Sequence, residues 1–277
     1  MGFSTYDEII AALTAGKGQF LPFNKASITT VASTFYSMWA NTGIPAAGEA
    51  GTAIPGGNAL YDYSVGALIP LKNPTAPATL HALQVGVGST IALGSLILID
   101  RLVHCANISA TSTSPQTVNS VPLPRYTDGK GVMMILEVTT ALGASASNVT
   151  ITYTNQDGVP NRSTGAIAMT VSSPVGRLQP PAGGYLIPLQ AGDYGVRSVE
   201  TIQFSASMAA GVVRLLLYKL IEMPMIPVMV ANDFRIFDLA LQTPSLPRIY
   251  DDACLSFLLL ANTTTSPFFG YLLAAEN

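Results

Sequence analysis

The chain has 277 residues, of which 49% are hydrophobic and only 10% charged, with a formal net charge of −3. That length can bury a sizeable core, but ordinary soluble domains carry about a quarter charged residues, so other subunits are expected to cover part of this surface. The thirteen Lys and Arg are scattered with no basic run, which removes the electrostatic footprint of nucleic-acid binding.

The opening residues have no basic stretch ahead of an apolar run, and Asp7 and Glu8 interrupt the first such run, so no signal peptide is expected. Thr5 with Glu8 three positions later predicts a capping box, followed by a helix with Ile9, Ile10 and Leu13 as its apolar stripe and Gly16 as its stop. A second helix is expected over 26–43, with Ser27 as cap and Gly43 as stop, although its β-branched residues weaken it. Residues 44–78 are rich in Gly, Ala and Pro and predict an extended arm. The expected division is therefore 1–78 for N-terminal helices and arm, and 79–277 for a β domain.

From Thr79 onward, short β runs alternate with turn clusters: "TLHALQVGV", "TIALGSLILID", "GVMMILEVTT", "NVTITYTN", "TGAIAMTV", "VRSVETIQFSAS", "AGVVRLLLYKLIEM", "CLSFLLLAN" and "FFGYLLAA". The uncharged run between His81 and Asp100 is long enough to span a membrane, but its glycines and period-two pattern read as buried strand. The run 215–230 contains Lys219, Glu222, Pro224 and Pro227 and reads the same way. Without long intervening helices or a fixed repeat, the fold class is mainly β, an antiparallel β-sandwich or jelly roll with a short helical and extended N-terminal region. Sequons at Asn107, Asn148, Asn161 and Asn262 are expected by chance in a Ser/Thr-rich chain.

Residues 148–171 raise the question of a site. Val149, Ile151 and Tyr153 share one face and Thr150, Thr152 and Thr154 the other, with Ile167, Met169 and Val171 on one face of the return. Asn155 to Arg162 is then the connection, turning at Asp157-Gly158, with Asn161 in the same loop and a salt bridge from Asp157 to Arg162 as a candidate contact. Asp193 and Arg197 surround a second Gly-rich turn.

The residues for chemistry are sparse. Only His81 and His104 are available to a triad, and no G-x-S-x-G elbow exists. Cys105 and Cys254 are too few for a disulfide framework or a thiolate metal site, and read as buried free thiols. "GVGSTIALG" lacks the Lys of a phosphate-binding loop. Asp251-Asp252 is the one adjacent acidic pair, read as solvated turn residues, and a hydrolase built on Asp251, Asp252 or Glu137 is the remote alternative. Asp100-Arg101 reads as a buried structural pair, with a contact setting subunit register as its alternative. Tyr61, Tyr63, Tyr126 and Tyr194 are the loop aromatics that a glycan-binding surface could use. No catalytic, cofactor or metal residue is assigned.

Five stretches together, "NKASITTVASTFYSMWANTGIPAAG", "LIDRLVHCANISATS", "VTITYTNQDGVPNRST", "PLQAGDYGVRSVETIQFSAS" and "DDACLSFLLLANTTTS", resemble a family of virion structural proteins of tailed bacteriophages and prophages. The "VPNRST" after the turn departs from that family, where a small residue and Gly precede the Arg, and Pro160 stiffens the loop. The resemblance implies a virion component without enzymatic activity, made in the host bacterial cytoplasm. Combined with the low charge, it leads to a capsid cement or decoration protein on the capsid surface. Its expected partners are the major capsid protein and copies of itself, most simply as a homotrimer, with no specific nucleic acid and no membrane. A major capsid subunit and a tail or adsorption component are the alternatives.

Overall fold

The computed structural model describes residues 2–48, 51–61, 71–180, 186–221, 225–242, 246–262 and 267–277. Helix α1 spans Tyr6–Thr14 and starts at the expected capping box, with Thr5 and Glu8 each accepting from the other's backbone. Ile9 buries against Leu83 and Ala275 and Ala12 is buried as well, whereas Ile10 and Leu13 face solvent. The helix therefore docks by a narrower stripe than its sequence suggests. Gly16 follows at φ +73°, a conformation glycine adopts without a Cβ penalty.

Apart from one helical turn at Leu239–Gln242, the other regular elements among the described residues are strands: β1 (Gly18–Lys25), β2 (Phe35–Ser37), β3 (Leu80–Ser89), β4 (Gly94–Ser109), β5 (Val132–Thr140), β6 (Asn148–Asn155), β7 (Val196–Phe204), β8 (Val212–Leu220), β9 (Asp233–Asp238), β10 (Cys254–Ala261) and β11 (Phe268–Glu276), with shorter strands between them. Strand occupies 47% and helix 5%, which makes the fold mainly β, and its long pairings are antiparallel.

Three sheets form. One runs β9-β3-β11-β1, with Gly43–Ile44 at its far edge; a second centres on β6 and β7; the largest runs β5-β8-β4-β10-β2. Strand β4 has 16 residues and, at about 3.3 Å each, reaches about 50 Å. Its alternating side chains serve two cores. Leu96 and Leu98 enter the core shared with β1, β3 and β11, while Ile97 and Ile99 enter the core shared with β6 and β7. Neighbouring β10 repeats the division, with Phe257 and Leu259 on one side and Leu258 on the other. The architecture is an antiparallel sandwich in which the large sheet contributes to both cores.

The second expected helix is absent. Residues 28–34 form no regular element, Ser33 takes φ +61°, and Phe35–Ser37 pairs with Leu258–Leu260 as β2. A left-handed Ser33 breaks a helix, and the β-branched residues Ile28 to Val31 before it are weak helix formers. Ser33 N and Thr34 O close the segment onto Ala261, at 2.8 and 3.0 Å.

The N-terminal region is woven into the sheets as well. Strand β1 pairs with β11 along its whole length, from Gly18 opposite Ala275 to Lys25 opposite Phe268. Within the expected arm, Thr52–Ala53 and Asn58–Ala59 pair with β4; residues 49–50 and 62–70 of that arm lie outside the described residues. No helix among the described residues is long and apolar enough to cross a membrane.

Because Leu98 is fully buried between the first sheet and β4, Leu98→Ala is expected to lower unfolding free energy by about 2 to 5 kcal/mol in chemical denaturation.

Candidate functional site

The outward face of the β9-β3-β11-β1 sheet gathers aromatic rings. Alternation points Phe20 out of β1, Phe269 and Tyr271 out of β11, and Phe234 and Ile236 out of β9. Between β9 and β11, strand β3 places Gly86 and Gly88 on that face. Gly88 lies directly between Phe234 and Phe269, and Gly86 between Ile236 and Tyr271. A Cβ on Gly86 would come within 2.5 Å of the Tyr271 ring, and one on Gly88 within 2.7 Å of Phe234. The glycines are thus the floor over which neighbouring rings lie.

Phe20 stacks on Tyr271 at 4.8 Å between ring centroids, and Phe234 stacks on Tyr271 and Phe269 at 6.0 and 6.1 Å. Despite this mutual contact, Phe20 is 61% exposed, Ile236 53%, and Phe234 and Phe269 41% each. Tyr271 Oη donates to Gln84 at 2.6 Å, satisfying its polar end within the sheet. Four strands therefore present one continuous apolar strip, a feature that soluble monomers rarely leave uncovered. Sequence reasoning missed this face. Its residues come from positions 20, 86–88, 234–236 and 269–271, and only strand order brings them together.

The polar residues singled out in the sequence go elsewhere. The turn after β6 closes through Gly158 N to Asn155 O at 3.0 Å, with Gly158 at φ +77° and Asn161 at φ +57°. The Asp157–Arg162 bridge does not form. Arg162 instead donates to Asp193 Oδ2 and Oδ1 at 2.9 and 3.0 Å, where Tyr153 Oη and Asn155 Nδ2 also donate at 2.6 and 2.8 Å. Asp157 is occupied locally, accepting from Gln156 Nε2 at 2.8 Å. The Arg162 guanidinium, with the other donors against the cost of burial, holds Asp193 down at about 2. Tyr153 is pushed up to about 12 by burial and by Asp193. Arg197 donates to backbone oxygens of Asp128 and Gln156.

Asp100 and Arg101 are both buried but do not pair with each other, since adjacent strand residues point oppositely. Asp100 takes both arms of Arg125 at 2.6 and 2.9 Å and the backbone N–H of Cys254 at 2.9 Å. Burial pushes its carboxyl up, and Arg125 pulls it back. Arg101 lies 5.2 Å over the Trp39 ring, and its Nη2 is 3.2 Å from Cys254 Sγ. Glu137, the third acid of the hydrolase alternative, is buried against Arg214 and Ser37. Asp252 exchanges hydrogen bonds with Asn73, and Asp251 is exposed, so these three carboxylates do not share a site.

His81 sits between Thr79 and Leu246 O, with burial lowering its pKa. His104 is buried 5.8 Å from Trp39. Cys105 and Cys254 are free and buried, and burial pushes Cys105 up to about 12 and Cys254 up as well. Among the described residues no group of three metal-ligating side chains forms. Of the loop tyrosines, Tyr194 is exposed, Tyr61 lies beneath the Arg125 guanidinium at 5.9 Å, and Tyr63 lies outside the described residues.

No family model and no curated protein matches the chain. Among solved structures, that of infectious bursal virus-derived T=1 particles aligns at 8% identity over 94% of this chain and 77% of that one, with a TM-score of 0.15. A likeness at that level carries no argument about fold or function.

Two outcomes follow from the ion pairs. Arg125→Ala strands the buried Asp100 and is expected to cost about 3 to 5 kcal/mol in urea unfolding. Asp193 is lowered from its ordinary 3.8, so the stability it contributes is complete above that value and drains as pH falls through about 2. Arg162→Ala should accordingly lower the urea midpoint at pH 7, and the gap to the parent protein should narrow as the pH falls toward about 2 and close below it.

Proposed function

We propose that the protein is a structural component of a tailed-bacteriophage particle, a cement or decoration protein bound to the icosahedral shell as a homo-oligomer. The observation that carries the reading is the aromatic strip on the β9-β3-β11-β1 sheet, formed by Phe20, Phe234, Ile236, Phe269 and Tyr271. An uncharged face of this kind suits a permanent protein contact, whose buried centre is depleted of charge and enriched in aromatic rings. The 10% charged composition supports the same conclusion, and so does the resemblance of the five sequence stretches to virion structural proteins.

The mechanism is stabilisation by mass action. A protein that binds the assembled shell and not its dissociated subunits shifts the equilibrium toward assembly, by an amount set by its concentration relative to its dissociation constant. This role requires a rigid, self-satisfied fold and a sticky face, and it uses no reacting group.

Quantitative mass spectrometry of purified particles is expected to find the protein in many symmetry-related copies; about a dozen copies or fewer would overturn the cement role. Combining Phe20→Ser, Phe234→Ser and Phe269→Ser is expected to abolish self-association in analytical ultracentrifugation or recruitment to shells, while the folded spectrum persists. Unchanged assembly by both measures would remove the strip from the interface.

A further inference from the structure

A second feature lies away from the aromatic strip. Tyr126, Asp128, Lys130, Lys219, Arg248 and Tyr250 line a cleft of about 350 Å³, whose other walls are backbone and aliphatic side chains of 220–221 and 247. Among the described residues three cations and one carboxylate line it, a charge of +2 in a chain whose net charge is −3.

The positions of these cations are fixed by specific contacts. Lys219, at the end of β8, donates from Nζ to Lys130 O at 3.0 Å and stands 5.7 Å over the Tyr126 ring. Gly131, at φ +66°, gives its ammonium room, because a Cβ there would collide with Nζ. The Arg248 guanidinium stands 4.4 Å over the Tyr250 ring, and Tyr250 meets Tyr126 edge to face at 4.7 Å. A contact with the ring face uses none of the guanidinium's N–H donors, which remain for an oxyanion. Among the described residues neither Lys219 nor Arg248 has a carboxylate within 4.0 Å. Asp128 is 3.6 Å from Lys130, both more than half exposed, so that pair neutralises little.

The loop that carries this wall is held in costly backbone geometry. Tyr126 takes φ +52°, a left-handed conformation unfavourable for an aromatic residue, and Gly129 and Gly131 are also left-handed. Gly129 N to Tyr126 O at 2.7 Å, Gly131 N to Tyr194 O at 3.1 Å and Arg197 Nε to Asp128 O at 3.1 Å hold it closed. Burial, reinforced by Asp100, pushes the Tyr126 phenol up, so that it stays a neutral hydroxyl.

We propose that this cleft binds the phosphoryl group of a small phosphorylated molecule. Two ammonium groups and a guanidinium lining one cleft suit a tetrahedral oxyanion. The volume falls in the range of small-molecule sites, about 300 to 1,000 Å³, which leaves room for a sugar-sized carrier beside the phosphate. This inference stands apart from the virion role, since none of the cleft residues belongs to the aromatic strip.

Isothermal titration calorimetry of the full chain at low salt, with glucose 6-phosphate, inorganic phosphate and glucose as probes, tests it. The expected order of affinity is sugar phosphate, then phosphate, with no heat from glucose. Arg248→Ala and Lys219→Ala should each weaken the sugar phosphate about tenfold or more, and Gly131→Ala should weaken it by displacing Lys219. Arg235→Ala, which removes an exposed cation on β9, should leave it unchanged, and thermal unfolding midpoints should show each variant folded. Absence of binding by either phosphate at millimolar concentration would overturn the proposal, as would affinity indifferent to Arg248→Ala and Lys219→Ala. Equal affinity for inorganic phosphate would overturn the assignment of the remaining volume to a carrier.

Discussion

Strand β4 is the constraint on which the rest depends. Sixteen residues long, it pairs with β8 on one side and β10 on the other while sending alternate side chains into two different cores. A strand buried on both faces cannot slip by one residue without exchanging the contents of the two cores, so its register orders both halves of the molecule at once. The charged residues in its middle follow from the same position. Asp100, Arg101 and His104 sit in a dry strand, and each must be met from outside it: Asp100 by Arg125, Arg101 by Trp39 and Cys254, His104 by Trp39.

The low charge of the composition takes on a further meaning once the ion pairs are placed. Of five pairs among the described residues, Asp100–Arg125 and Glu137–Arg214 lie inside, and Asp193–Arg162 is anchored by a carboxylate that is 2% exposed. Charges scarce in the sequence are scarcer still on the surface, because several serve the interior. The exterior keeps few charges beside its hydroxyls, backbone and apolar side chains. That distribution favours association, and the cation-lined cleft at Lys219 and Arg248 stands out against it.

Period-two patterns made the β class and most of the long strands legible, including the inward set Val149, Ile151 and Tyr153. Readings failed where a local rule met a distant partner. The 26–43 segment has a cap, a stop and apolar residues, yet it pairs with β10, a strand more than 200 positions later, and sequence periodicity holds no record of that contact. Strand β1 was hidden by Pro22, which argues against a strand, and β9 by its charged ends at Asp233 and Asp238. Arg162 was near the right loop with the wrong acid, because Asp193 reaches it only when 190–193 folds against the turn. The aromatic strip was illegible for the same reason: single exposed rings are ordinary, and sheet order alone makes them neighbours.

Gly86 and Gly88 carry a consequence for how this surface can change over generations. Their positions admit no side chain beneath the rings, so the central strand contributes shape and no chemistry. The chemistry of the strip is set by β1, β9 and β11, whose outward residues can be exchanged without disturbing the inward ones that fill the core. Surface and fold are thereby separable: exchange at Phe20 or Ile236 alters the face that the sheet presents, while a side chain at either glycine would force the rings above it apart.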